Sequence, residues 1–367
     1  MKDNLTPEIF AEFIADFCIR SPLSSGRNLY WTIIANPAAG GFSIKSRREK
    51  IYGQLKACAL LAGVNSRNPG AGPSKTGTRE NSLGLILTRH KGHAETITAD
   101  IIREAETASS GALYLIITAG GDGTSLEVLS TLFYASAEAK SHIAVLRLPM
   151  GTGNDGADAF ELDEALRLLI EPSEIRFQKA LRLVTSVPGK GPYLAFNILS
   201  VGLDAFVTHM TNKMKGKLPG DFYKLWVDIA SLFYDRIYKV GMMNVNVFDE
   251  SGNEIKKISE KILLLAMGES GHRYYGSHKN ILPDDRNVCA VKQMSMLRNI
   301  ALKDLFTTGG HAGKPESMLF SAGRAEITCE YPILAQMDGE AVLLETADFP
   351  AAIELTEPVI PILKLKK

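Results

Sequence analysis

"TAGGDGTSLEV", residues 118–128, follows directly on the apolar run "ALYLIIT". A strand that ends in glycines and then opens a helix turns several backbone N–H groups toward one point, and the positive end of the helix adds to them. The stretch reads as an anion-binding turn. Gly120, Gly121 and Gly123 are expected where the chain turns with positive φ and lets phosphate oxygens approach, with Thr124 opening the helix. A plain helix cap would account for one or two of these glycines, but not for three together with Asp122.

Outward from this turn, "YWTIIA", "LGLILT" and "IAVLRLP" have the apolar content of further buried strands. Between them, Ile44, Ile51, Leu55 and Cys58, then Ala94, Ile97, Ile101 and Ala105, recur at helical spacing. Strand alternating with helix predicts a parallel sheet with right-handed crossovers, whose ligands sit at the carboxyl ends of the strands. "NPAAGG", "GGDGT" and "GTGND" all fall at such ends. Gly151, Gly153 and Gly156 spell a dinucleotide fingerprint. The helix "ELDEALRLLIEPSEIRF" that follows replaces the second strand and acidic residue that fingerprint needs, so the dinucleotide reading fails.

From about residue 177 short strand-like runs separated by turn residues predict an antiparallel β domain, interrupted by one helix near 219–236. The expected organisation is 1–176 as an α/β domain with a helical N-terminal extension and 177–350 as a β domain. The apolar tail within 351–367 is expected to return to the first. Residues 65–82, rich in Gly, Pro, Ser and Asn, read as a long loop or flap, and "GAGPSKT" within them lacks the context of a P-loop.

The chain has 367 residues, enough for two cores and a cleft, and its 41 basic and 41 acidic residues balance, which argues against nucleic acid as a partner. Four widely spaced cysteines fit neither a disulfide framework nor a zinc knuckle, and suggest a reducing, cytoplasmic setting. The first 20 residues carry four acidic side chains in an apolar pattern, an amphipathic helix rather than a signal peptide, and no run is long enough to span a bilayer. His90 and His93 read as parts of a strand-to-helix junction rather than metal ligands.

Phosphoryl transfer needs phosphate positioning, charge stabilisation and a carboxylate to accept a proton. Asp122 and Glu340 are the glycine-framed acidic candidates, Asp338 would suit a metal, and "MDGE" is equally readable as a hairpin turn.

"IIANPAAGG", "TRHKGHAETI", "AGGDGTSLEVLSTL", "LPMGTGNDGADAF", "FNILSVGLDAFV" and "QMDGE" occur in the order and near the spacing found in the diacylglycerol kinase catalytic family, which this chain resembles from about residue 30 to 365. The resemblance implies a Rossmann-like N-terminal domain, a C-terminal β-sandwich, and ATP bound in the cleft with Mg²⁺. It places Asn36, Thr88 and Glu127 beside the nucleotide and Gly120 to Thr124 around its phosphates. Thr152 and Asn154 complete the pocket, with Gly151 and Gly153 shaping their loop, and Asp338 and Glu340 face the reacting phosphate. A structural metal site common in bacterial members is shortened here to "LPDDRNVCAV", leaving Asp285 for its role. The implied activity is transfer of the ATP γ-phosphate to a lipid hydroxyl, as of diacylglycerol or a sphingoid base, by a cytoplasmic protein at a membrane surface. The basic, aromatic stretch 212–226 is then a lid that meets the membrane, or else a solvated face. A kinase of NAD or of a soluble polyol and a non-catalytic nucleotide-binding protein are the alternatives, and Asp122 rivals Glu340 as general base.

Overall fold

A computed structural model describes residues 5–63, 84–151, 153–214, 234, 238–276 and 279–366. The flap at 65–82, Thr152 and most of the helix expected near 219–236 lie outside the described residues, as does the lid stretch beyond Met214. The chain forms two compact units, 1–178 with 358–367, and 179–357.

In the first unit, β1 (Asn28–Ala35), β2 (Leu85–Leu87), β3 (Ala112–Ala119), β4 (Ile143–Arg147), the C-terminal strand Ile360–Leu365 and β5 (Ser173–Gln178) form one sheet. Their order is β2-β1-β3-β4-C-terminal strand-β5. The first four run parallel, with Ala35 opposite both Leu87 and Ala119. The C-terminal strand lies parallel to β4 and antiparallel to β5. Strand β5, in a segment that carried no strand expectation, pairs along its length with that returning segment.

Helices α1 (Pro7–Arg20), α2 (Gly40–Ser43), α3 (Lys45–Leu61), α4 (His93–Glu106), α5 (Asp122–Phe133), α6 (Ala137–Ser141) and α7 (Leu162–Ile170) complete the unit. In α1 the Thr6 side chain caps the Ile9 amide and Pro7 starts the helix. Phe10, Ile14, Phe17 and Cys18 then fall on one buried stripe. The stripes expected in α3 and α4 are buried as well, except that Ile44 is the exposed N-cap of α3.

The second unit is antiparallel. Its strands are β6 (Leu181–Val184), β7 (Tyr193–Ala195), β8 (Ile198–Gly202), β9 (Met242–Phe248), β10 (Glu254–Gly268), β11 (Arg273–Tyr275), β12 (Lys279–Leu282), β13 (Val288–Lys292), β14 (Ser317–Phe320), β15 (Arg324–Cys329), β16 (Ile333–Met337), β17 (Glu340–Leu344) and β18 (Ala351–Leu355), with helices α8 (Leu203–Met214) and α9 (Met296–Thr308). The 15-residue β10 joins two layers: Glu254–Lys261 pairs with β9, and Ile262–Gly268 pairs with β8 and β13. One apolar core takes Leu199 and Leu265 from one layer and Val245, Ala325 and Ile353 from the other, so the expected sandwich is a single sheet curled on itself.

Ile362 is fully buried opposite Val145 and Arg176. Ile362→Ala should cost about 2–5 kcal/mol of unfolding free energy, as a large-to-small core change does. Urea titration of the full chain measures it, and a loss below about 0.5 kcal/mol would contradict the seating of the C-terminal strand.

Candidate functional site

The site in the first unit is built at the carboxyl ends of β1, β2, β3 and β4. The amide of Asn36 donates to Ala119 O (3.1 Å) and the amide of Thr88 donates to Ala35 O (2.8 Å), so these two residues and Gly120 stand side by side. Asn36 Oδ1 accepts from the Ala38 amide at 3.0 Å, which closes the "NPAAGG" turn. Gly41 then donates to Met150 O (2.8 Å) and packs so closely on Met150 and Ile51 that a Cβ there would lie 2.9 Å from both side chains.

The three glycines of "GGDGT" differ from the expectation. Among the described residues with positive φ, none of Gly120, Gly121 and Gly123 occurs. Gly120 is needed for packing, since a Cβ on it would lie 2.4 Å from Thr124 Oγ1 and 2.6 Å from Thr124 Cβ. Gly121 is the extended N-cap of α5, and Gly123 lies inside its first turn. The correction has a plain physical reason: the strand runs straight into the helix, and the tight turn is replaced by close approach.

That approach joins two loops. A Cβ on Gly151 would lie 2.7 Å from Gly121 Cα and 2.9 Å from Asn154 Oδ1, so the "GTGND" loop sits directly on the "GGDGT" loop. A Cβ on Gly121 itself would meet only Gly151 Cα, at 3.8 Å. The fold therefore demands glycine at 151 but tolerates a Cβ at 121, the N-cap of α5, with one ordinary contact. A phosphate oxygen fits at such a helix N-terminus. Asp122, the first residue of α5, spans both loops: its Oδ1 accepts from the Gly156 amide (3.1 Å), and its Oδ2 would lie 3.1 Å from a Cβ on Gly153. Asn154 holds φ at +60° and donates from Nδ2 to Pro149 O (3.2 Å), an αL position asparagine tolerates.

Sequence reasoning missed the residues that hold this loop in place. Arg47, in the first turn of α3, donates from Nη1 to Gly151 O at 2.7 Å. Arg147, at the end of β4, forms a buried pair with Asp158: Nη2 lies 2.8 Å from Oδ1 and the Arg147 amide donates to Oδ2 at 2.7 Å. Lys364 of the C-terminal strand stands 3.6 Å from the same carboxylate. The sequence signal is faint, an acidic residue four past "GTGN" and an arginine inside an apolar strand.

Glu127, assigned to the nucleotide, takes two amides of the α4 N-terminus, Gly92 at 2.8 Å and Ala94 at 3.2 Å. It fills that helix's anion site and ties α5 to α4.

In the second unit, Asp338 and Gly339 are the two central residues of the β16–β17 hairpin, with φ of +45° and +97° and Met337 opposite Glu340. Positive φ at both positions is the type I′ geometry that Asp-Gly favours. The Asp338 carboxylate, 8 % exposed, accepts from the amides of Phe196, Asn197 (3.1 Å) and Ile198 (3.0 Å). Its lone pairs serve the backbone of the β7–β8 connection. Asp285 is fully exposed, with His272 Nε2 3.0 Å away. Among the described residues no group of three or more His, Cys, Asp or Glu side chains is placed to hold a metal. The structure thus does not bring Asp285 and Asp338 together as a donor set for a resident Mg²⁺. Glu340 opens β17, half-buried.

Residues 30–180, which carry all of these glycine loops, match the model of the diacylglycerol kinase catalytic domain. That segment, less than half of the chain, is similar to the diacylglycerol kinase catalytic domain. A protein of Xanthomonas euvesicatoria pv. vesicatoria named "Probable lipid kinase YegS-like" is 25 % identical over 269 residues, which cover 70 % of this chain and 80 % of that protein. One of the same name from Yersinia pestis is 27 % identical over 169 residues, covering 45 % and 52 %. A crystal structure of a diacylglycerol kinase from Bacillus anthracis str. Sterne superposes with a TM-score of 0.51 at 16 % identity, covering 91 % of this chain and 96 % of that one, a likeness of fold. Within the matched segment, Asn36, Thr88, Gly120–Thr124 and Gly151–Asn154, with Thr152 itself undescribed, converge on one sheet edge, and Glu127 serves α4.

Asp158→Ala should destabilise the first unit by about 3–5 kcal/mol, because it leaves the Arg147 guanidinium buried without its carboxylate. Asp158→Asn, which keeps a hydrogen-bond acceptor, should cost less. Chemical denaturation of both variants tests the order, and equal stability of Asp158→Ala and wild type would remove the pair as the anchor of the loop.

Proposed function

We propose that this chain is an ATP-dependent kinase that transfers the γ-phosphate to the hydroxyl of a lipid such as diacylglycerol or a sphingoid base. The observation that carries the reading is the junction of two glycine loops at the α5 N-terminus, where a Cβ on Gly121 would meet only Gly151 Cα, in a segment similar to the diacylglycerol kinase catalytic domain. Relatives named as lipid kinases support the lipid acceptor. No helix among the described residues is long and apolar enough to cross a membrane.

In this reading the amides of the "GGDGT" loop and the α5 N-terminus bind phosphate oxygens, and Asp122 keeps the two loops in register. ATP is taken up as its Mg²⁺ complex, with the cation carried on the phosphates. Glu340 accepts the proton of the attacking lipid hydroxyl as its oxygen bonds to the γ-phosphorus and ADP leaves. Incubation with labelled ATP, Mg²⁺ and a panel of lipid extracts, NAD and polyols tests the reading. Label in a lipid supports it, label in NAD or a polyol replaces the acceptor, and no label on any acceptor leaves a nucleotide-binding protein.

Two variants test the parts. Gly121→Val keeps an extended backbone and its Cβ meets only Gly151 Cα, so the fold should persist while ATP Kd in calorimetry rises at least about tenfold. Unchanged affinity would put the phosphates elsewhere. Glu340→Gln should lower kcat by about 10² or more with ATP Kd nearly unchanged, whereas Asp122→Asn should disturb both, since Asp122 also holds Gly156. Near-normal turnover of Glu340→Gln would move the base to Asp122.

A further inference from the structure

Helix α8 begins directly after β8 and sends two polar side chains toward the β16–β17 hairpin from opposite ends of its length. Near its start, half-buried Asp204 accepts through Oδ2 from Ser200 Oγ (2.7 Å) and from Gln336 Nε2 (3.4 Å). Gln336, fully buried in β16, also donates from Nε2 to Ser200 Oγ at 2.9 Å. Its other amide atom, Oε1, accepts from the Gly339 amide at 3.1 Å. Near the helix C-terminus, Asn212 Nδ2 donates to Gly339 O at 2.8 Å. The peptide bonds on both sides of Gly339 are therefore held by side chains, and the second of them supplies the nitrogen of Glu340.

The chemistry of the buried branch is directional. A carboxylate accepts only, so Asp204 requires Gln336 to present Nε2 inward, and this turns Oε1 toward the Gly339 N–H. A flipped Gln336 would set two donors against each other at Gly339 and two acceptors against each other at Asp204. Burial pushes the Asp204 carboxyl upward, opposed by the Ser200 and Gln336 hydrogen bonds and by the charge of Lys279. The hairpin it contacts has positive φ at a non-glycine residue, Asp338, and is tied to α8 and β16 by side chains as well as by its own turn.

We propose that α8 is the positioning element of the Asp338–Gly339 hairpin, with Asp204 acting through Gln336 and Asn212 acting directly, so that the backbone carrying Glu340 is fixed before substrate arrives. Asp204, Gln336 and Asn212 are positioning residues, and the catalytic consequence rests on the kinase reading with Glu340 as base.

The test is a double-mutant cycle on the full-length chain, with ATP, Mg²⁺ and dioctanoylglycerol in mixed micelles. Asn212→Ala removes one exposed donor and should lower kcat about three- to tenfold at unchanged ATP Kd and Tm. Asp204→Asn should lower kcat further. On top of Glu340→Gln, Asn212→Ala should have no additional effect, because the group it positions is gone. A full multiplicative loss in the double variant, or no loss in Asn212→Ala alone, would overturn the proposal. Hydrogen exchange gives a readout independent of turnover and of the base assignment: the Gly339 amide should exchange at least about tenfold faster in Asp204→Asn, with first-unit amides unchanged. If Gly339 exchange is unaltered, α8 does not hold the hairpin, whatever Glu340 does. Normal turnover of Glu340→Gln together with accelerated Gly339 exchange would leave the clamp standing and remove the kinase role assigned to Glu340.

Discussion

The buried pair between Arg147 and Asp158 organises the first unit. A charge taken out of water is tolerated only when its partners are close and well aligned, and here the carboxylate receives a guanidinium, the Arg147 amide and a nearby lysine. Those three groups belong to the end of β4 and to the C-terminal strand, while the carboxylate belongs to the loop after "GTGND". One interaction thus joins the sheet edge to the loop. With the loop fixed there, and by Arg47 at Gly151, the contact of Gly151 with Gly121 follows, and Asp122 can reach the Gly156 amide. A Cβ at position 151 would push apart the two loops on which the phosphate reading depends.

Much of the first unit was legible because its signals are local. Buried parallel strands are short apolar runs, helices between them repeat every three or four residues, and glycines mark the strand ends. "YWTIIA", "ALYLIIT" and "IAVLRLP" needed no distant partner to be read. Strand β5 was missed because "SEIRFQ" is half polar, and it is a strand only because the last segment of the chain comes back to pair with it. The glycine roles were half legible: the residue type was informative, but close approach of Gly120 to Thr124 and of Gly151 to Gly121 cannot be told from positive φ without coordinates.

The second unit hid more. "DG" between apolar runs announces a hairpin, and the hairpin is there. What Asp338 does with its oxygens depends on amides some 140 residues earlier, at Phe196, Asn197 and Ile198, and no spacing rule reaches that far. Glu127 illustrates the same limit at shorter range. Its carboxylate could serve a nucleotide or a helix end, and only the position of α4 decides for the helix. Side chains that support other side chains, such as Gln336, leave no pattern in the sequence because their partners are set by the tertiary fold.

The placement of Ile360–Leu365 has a consequence for how the molecule is made. A ribosome delivers the chain from the N-terminus, so β1 to β5 emerge long before the strand that lies between β4 and β5. Until Ile360–Leu365 emerges, β4 has an unpaired edge and β5 has no partner in the sheet, which is the condition in which apolar strands associate wrongly. The intervening 179–357 can complete its own core during that interval, since its sheet draws on no residue outside it. The half of the protein synthesised first is therefore the half finished last.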